Sequence, residues 1–304
     1  MKKQQLGLIG LGKMGQAIVK RLQNSNIQVV GFDPNVKSRN MAEKNGAVTV
    51  NSVGELIKSL KKNRVIWVMV PSGPITDKVL NNLGRKLQKG DIVIDGGNSN
   101  YEMTQKRAEK LAKKGMAMLD CGTSGGVSGA EIGFSLMVGG NKNAFKKTEK
   151  IFKTLAANDG YGYFGEAGAG HYVKMIHNGV EYAIMQAIGE GMALLKSCEY
   201  DLKQADLARV ARVWSNGSVI RSWLMELTES ALKDKGFAKV EDYIDDLGEG
   251  RWTANLAMQT KTSAPLITLS VIERDASKLS ENFAHKIVAS LREQFGGKRV
   301  RGKN

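Results

Sequence analysis

Cysteine is nearly absent from this 304-residue chain, with Cys121 and Cys198 the only two. Two thiols cannot build a disulfide framework or a zinc cluster, so a reducing, cytoplasmic setting is expected. Cys121 reads as a small buried residue, not a nucleophile. Long apolar runs are missing too, and no stretch approaches the length of a membrane span. Met1-Lys2-Lys3 before an apolar stretch has the outline of a signal peptide, but that stretch is short, broken by glycines and better read as a first strand. Aromatic residues make up only 6% of the chain and interleave little with its lysines and arginines. The net charge of +15 therefore reads as solubility and attraction of small anions, and nucleic-acid binding is not expected.

What is present is an alternation. Apolar runs at Leu6 to Ile9, Ile27 to Phe32, Val48 to Val50, Val65 to Val70, Ile92 to Asp95 and Met116 to Leu119 alternate with helical patterns. Those patterns lie near residues 13 to 24, 36 to 45, 52 to 61, 75 to 87 and 102 to 114. This is the pattern of repeated βα units around a mainly parallel sheet. Right-handed crossovers then place the loops after Ile9, Phe32, Val70 and Asp95 along one edge, where such sheets bind ligands. Phe134 to Gly139 and Tyr161 to Phe164 add late strands of undetermined direction around a helix near residues 143 to 155. After Gly165 the character changes to a long Ala/Met/Ile-rich helix from about His171 to Lys196, with further helical patterns to about Phe295. The expected architecture is α/β: an N-terminal Rossmann-type doubly wound sheet over residues 1–165, then an all-α domain over 166–304. No low-complexity linker separates the two.

The first strand runs into Gly10-Leu11-Gly12-Lys13-Met14-Gly15. In a dinucleotide-binding turn the first glycine makes the bend, the second admits the pyrophosphate and the third lets the helix pack on the strand. The phosphates then meet a helix N-terminus. Asp33 ends the second strand at the spacing expected of the acid that binds the adenosine ribose. An acid there favours NAD, because the 2′-phosphate of NADP would meet a like charge. Arg39 tempers that preference if its loop folds back. Val70 and Pro71 follow the fourth strand, at a position suited to the nicotinamide half of the cofactor.

Three further segments carry polar groups suited to a substrate. Asp95-Gly96-Gly97-Asn98-Ser99 offers Asn98 as donor and acceptor for a sugar hydroxyl or the cofactor. Asp120 to Gly126 reads as a loop in which Ser124 supplies a hydroxyl beside the bare amides of Gly125 and Gly126, a cradle for a carboxylate. The third is helical. At about 100° per residue, Lys174, Asn178 and Glu181 fall within about 60° of one another, with His177 about 40° beyond Glu181. Standing alone, a Lys/Glu pair seven residues apart also fits a structural network. Apolar neighbours such as Ala183, Ile184 and Ala187 put these groups at the wall of a core instead.

Taken together, GLIGLGKMG, VIDGGNS, DCGTSGG, GAGHYVKMIHNGVEY, GEGRWT at Gly248 to Thr253 and the terminal REQFGG resemble the decarboxylating 6-phosphogluconate dehydrogenase family, in its short-chain form, over nearly the whole length. The resemblance implies oxidation of 6-phosphogluconate at C3 with reduction of NAD, loss of the carboxylate as CO2, and ribulose 5-phosphate as product. It implies Lys174 as the base on the C3 hydroxyl and Glu181 as the acid that protonates C1. It also implies that Asn98, Ser124, Gly125, Gly126, His177 and Asn178 hold the sugar acid, with Tyr182, Arg251 and Arg274 around its phosphate. Arg251 stands where longer relatives often have lysine, and Ile272-Glu273-Arg274-Asp275 is more acidic than the matching stretch of many short members. Lys298 follows FGG where many short members carry histidine. A homo-oligomer, dimer or tetramer, is expected. The competing reading is a related 3-hydroxyacid dehydrogenase acting on a small unphosphorylated acid.

Overall fold

The computed structural model describes residues 4–240, 242–245, 248–279 and 287. The chain begins β1 (Gln4–Ile9), α1 (Lys13–Leu22), β2 (Ile27–Phe32), α2 (Val36–Lys44), β3 (Val48–Thr49), α3 (Val53–Ser59), β4 (Val65–Val68), α4 (Pro74–Lys86), β5 (Ile92–Asp95) and α5 (Tyr101–Ala112). It continues with β6 (Ala117–Ser124), α6 (Gly129–Ile132), β7 (Phe134–Gly140), α7 (Lys142–Leu155), β8 (Ala156–Gly165) and α8 (Ala169–Lys196). Then come α9 (Gln204–Ser215), α10 (Trp223–Lys233), α11 (Glu249–Thr260) and α12 (Pro265–Ala276). Helical patterns beyond residue 279, and Lys298 with them, lie outside the described residues.

The strands form one eight-stranded sheet in the order β3-β2-β1-β4-β5-β6-β7-β8, the doubly wound arrangement the alternation implies. Strands β1 to β6 pair in parallel, β7 is antiparallel to β6, and β8 runs parallel to β7. The inner strands read as unbroken apolar runs because helices cover both faces. Leu6, Leu8, Trp67 and Ile94 join Ile18, Leu22 and Phe152 on one side. On the other side Ile9, Val30, Val68 and Val93 join Leu56, Leu80 and Leu83.

One expectation is corrected. Asp120 to Ser124 are not loop: they extend β6 and pair residue by residue with Gly139 to Ser135 of β7. A returning antiparallel strand satisfies their amides and carbonyls, which a search for parallel βα units does not anticipate. The turn itself begins at Gly125 and Gly126, whose φ angles of 115° and 55° are left-handed.

By its internal contacts the chain divides into two compact units, one running to His177 and one from Asn178 onward. The division falls inside α8, which therefore belongs to both. In the second unit Met192, Leu207, Ala208, Ala211, Met225 and Leu232 form a core between the end of α8, α9 and α10. Among the described residues no helix is long and apolar enough to cross a membrane.

Candidate active site

Register brings the candidate loops together. Ile9 lies opposite Phe32 on one side and Val68 on the other, Val68 lies opposite Asp95, and Asp95 opposite Asp120. The glycine turn, Asp33, Val70, Pro71 and Asn98 thus leave from the same edge of the sheet. Val70 is half-buried, while Pro71 and Asn98 are exposed at that edge.

The glycine turn meets the requirements for holding a dinucleotide. Gly10 has φ 97°, and a Cβ on it would stand 2.1 Å from the Met69 carbonyl oxygen. A Cβ on Gly15 would stand 2.1 Å from the Gly10 carbonyl oxygen. Gly12 is the opposite case: nothing lies within 4 Å of its Cβ position, which leaves the open approach a pyrophosphate needs. Leu11 is fully buried and donates its N–H to Asp33 Oδ2 at 2.8 Å. Met14 is half-buried against the adjoining core. Asp33 also accepts the Asn35 N–H on Oδ1 at 2.8 Å. Its carboxylate is therefore fixed beside the turn, and each oxygen retains acceptor capacity for a ribose hydroxyl. Arg39 does fold back, but its Nη1 donates to the Asp33 carbonyl oxygen at 2.7 Å and its Nη2 to Asn51 Oδ1 at 3.2 Å. The guanidinium is turned to neutral acceptors at the base of the loop.

The Asn98 loop is organised by residues that sequence reading passed over. Buried Asp95 accepts the Gly97 N–H on Oδ1 at 3.2 Å and the Ser99 hydroxyl on Oδ2 at 2.9 Å. Arg107 Nη1 donates to Ser99 Oγ at 3.0 Å, while its Nε bonds Asp77 at 2.8 Å. Two buried anchors flanking Asn98 thus hold an exposed residue in place. The sequence signal was the acid and hydroxyl on either side of Asn98 within the motif.

Lys174 sits on the first turns of α8, buried, with Nζ 3.3 Å from His177 Nδ1. The other ring nitrogen of His177, Nε2, lies 3.3 Å from Ser124 Oγ. Lysine, imidazole and hydroxyl therefore form a chain from the helix to the end of β6. Two features hold α8 there. Buried Asp120 accepts the N–H groups of Gly168 and His171 at 2.8 and 2.9 Å, a carboxylate at the positive end of the helix dipole. Gly122 faces Lys174 so closely that a Cβ would stand 2.3 Å from Lys174 Cβ. Neither residue was singled out from sequence, although both belong to the DCGTSGG motif. Beside them, burial pushes the Cys121 thiol far up, away from the thiolate a nucleophile requires.

In the second unit, Asn178 and Tyr182 are buried and Glu181 is half-buried along α8. The Arg274 guanidinium stacks over the Tyr182 ring, 3.5 Å from its centroid, and donates to the Asp245 carbonyl oxygen at 2.9 Å. A Cβ on Gly250 would stand 2.4 Å from Tyr182 Cδ2, so the start of α11 lies directly on that ring. Arg251, one residue further, donates Nη2 to both oxygens of Asp275 at 2.7 Å. Tyr182 on α8 is thus met by Arg274 from α12 and by Gly250 at the start of α11.

Two family models match the chain: the NAD binding domain of 6-phosphogluconate dehydrogenase over residues 5–165, and the 6-phosphogluconate dehydrogenase C-terminal domain over residues 170–299. The chain belongs to the 6-phosphogluconate dehydrogenase family. It is similar to the NAD(+)-dependent, decarboxylating 6-phosphogluconate dehydrogenase of Haloferax volcanii, with 44% identity over 303 residues covering 99% of both chains. The solved Plasmodium falciparum 6-phosphogluconate dehydrogenase superposes on 98% of this chain and 66% of its own length, with a TM-score of 0.84 at 28% identity. A 3-hydroxyisobutyrate dehydrogenase of Mycobacterium tuberculosis covers 91% of this chain and 93% of its own, at TM-score 0.70 and 20% identity. That last likeness is one of fold. The C-terminal family match separates this chain from the small-hydroxyacid reading.

Proposed function

We propose that Lys174 and Glu181 divide the proton transfers of an oxidative decarboxylation of 6-phosphogluconate to ribulose 5-phosphate and CO2. The chain is an NAD-dependent oxidoreductase of its family, and NAD when bound supplies the hydride acceptor. Lys174 takes the proton of the C3 hydroxyl, and its ammonium form then stabilises the enolate that develops as the carboxylate leaves as CO2. Glu181, two turns along the same helix, delivers the proton to C1. His177 holds the base from one side and the Ser124 hydroxyl from the other; it orients both toward the substrate. Asn98, Asn178 and the amides of Gly125 and Gly126 bind the sugar acid, and Tyr182, Arg251 and Arg274 serve its phosphate. The observation that carries the reading is the hydrogen-bonded row from Lys174 through His177 to Ser124, built where two family motifs meet.

The test is to follow reduced cofactor and CO2 with 6-phosphogluconate, unphosphorylated gluconate and small 3-hydroxy acids. Both products should appear together with the phosphorylated acid alone. Equal turnover of gluconate would overturn the substrate assignment.

For the cofactor, Asp33→Asn should raise the KM for NAD by the equivalent of about 1.5–3 kcal/mol, the worth of a charge-assisted hydrogen bond. It should also narrow the discrimination against NADP, which kcat/KM measured for both cofactors will read. A wild-type preference for NADP would mean that a cation overrides Asp33.

A homo-oligomer in a reducing, cytoplasmic setting completes the proposal. Leu266, Leu269 and Ile272, exposed at helical spacing along α12, support self-association.

A further inference from the structure

Arg251 and Asp275 are both placed against their helix dipoles. Arg251 is the third residue of α11, at the partially positive end of the helix dipole. Asp275 is the penultimate residue of α12, beside the partial negative charge of its carbonyls. Each offsets the other: both Asp275 oxygens take the same nitrogen, Nη2, at 2.7 Å. The hydrogen bond from Arg251 holds the Asp275 carboxyl below the usual carboxylate range, with Lys278 adding to it, so it is an anion wherever the enzyme works.

Arg274 and Arg251 differ in exposure. Arg274 is 9% exposed, stacked on the ring and tied to a carbonyl. The Arg251 side chain is 47% exposed, and the carboxylate it holds is 42% exposed. Solvent reaches the pair, so another anion can compete for the guanidinium. Asp275 also has a second cation, Lys278 Nζ at 3.5 Å from Oδ1, which keeps it compensated when Arg251 turns away.

We propose that Asp275 is a specificity-determining residue at the phosphate end of the site: its carboxylate occupies Arg251 in the free enzyme, and a phosphate dianion binds by exchanging for it. The proposal rests on Arg251 being a phosphate ligand. In it, a monoanion or an unphosphorylated sugar acid gains too little at Arg251 to displace Asp275, whereas a dianion at the positive end of the α11 dipole gains enough. Affinity for the phosphorylated substrate is thereby held below what the arginines alone would provide.

Asp275→Asn removes the competing charge and keeps the shape. The KM for 6-phosphogluconate and the competitive inhibition constant of inorganic phosphate should both fall about two- to fivefold, the scale of an exposed ion pair, while kcat stays within twofold. Glu273→Gln, an equal change of charge two residues away on the exposed side of α12, should leave both constants unchanged. In an Arg251→Ala background the gain from Asp275→Asn should vanish. A rise in KM for Asp275→Asn would overturn the proposal, because Asp275 would then only align Arg251. Unchanged constants, or a gain that survives Arg251→Ala, would overturn it as well. If Arg251→Ala alone leaves the KM for 6-phosphogluconate unaltered, the assignment of Arg251 to the phosphate falls, and the exchange with it.

Discussion

Lys174→Met is expected to abolish hydride transfer while cofactor binding survives. Methionine keeps most of the length and volume of the side chain, so the packing of α8 against Gly122 is retained. What disappears is the amine 3.3 Å from His177 Nδ1. Removal of the C3 hydroxyl proton and of hydride belong to the same oxidation, so loss of the proposed base should stall the first chemical event. General-base catalysis contributes about 10² to 10⁴ in rate, and the loss should reach that scale. Glu181→Gln provides the contrast. Its amide keeps shape and hydrogen bonding but cannot deliver a proton, so oxidation should proceed and the defect should follow it, at protonation of C1. Single-turnover traces of reduced cofactor and CO2 separate the two variants, with cofactor affinity measured independently. Reduced cofactor formed by Lys174→Met at near wild-type rate would place the base elsewhere.

Gly122→Ala should cost about 10² in kcat with the fold and cofactor affinity preserved. Its new methyl would meet Lys174 Cβ at 2.3 Å, Lys174 Cγ at 2.8 Å and the Gly170 carbonyl oxygen at 3.1 Å. The first and last of these are fixed by the helix backbone, so α8 must move away from β6. Overpacking of this kind typically costs about 1–3 kcal/mol of stability, which a domain of this size tolerates. Catalysis is less forgiving, since a misplacement of about 1 Å in a reacting group can cost about 100-fold. The glycine turn and Asp33 lie elsewhere on the sheet edge, so the dissociation constant of NAD should not change. Thermal unfolding, NAD titration and kcat on the same preparation test this. Wild-type kcat with an unfolding midpoint lowered as expected would show that α8 yields without moving its lysine.

The sequence alone determined the parts of this protein whose physics is local. The inner parallel strands could be read from apolar runs because a strand buried on both faces needs no polar residue to interrupt it. The glycine turn and Asp33 were legible because the steric demands at Gly10, Gly12 and Gly15 follow from a single tight bend. The Lys174, His177, Asn178 and Glu181 face was legible because helical periodicity alone places those residues together. Sequence read Asp120 to Ser124 as a loop, because the strand they form exists only through the antiparallel partner β7, fifteen or so residues ahead of them in the chain. It gave no sign that Arg107 would reach Ser99 beside Asn98, or that Asp120 would cap α8, since those bonds close over 8 to 51 positions of chain. The pairing of Arg251 with Asp275 spans 24 positions and depends on the end of one helix meeting the start of another. Such contacts depend on where separate elements come to lie, a matter of packing geometry that no local pattern encodes, and only the tertiary structure decided them.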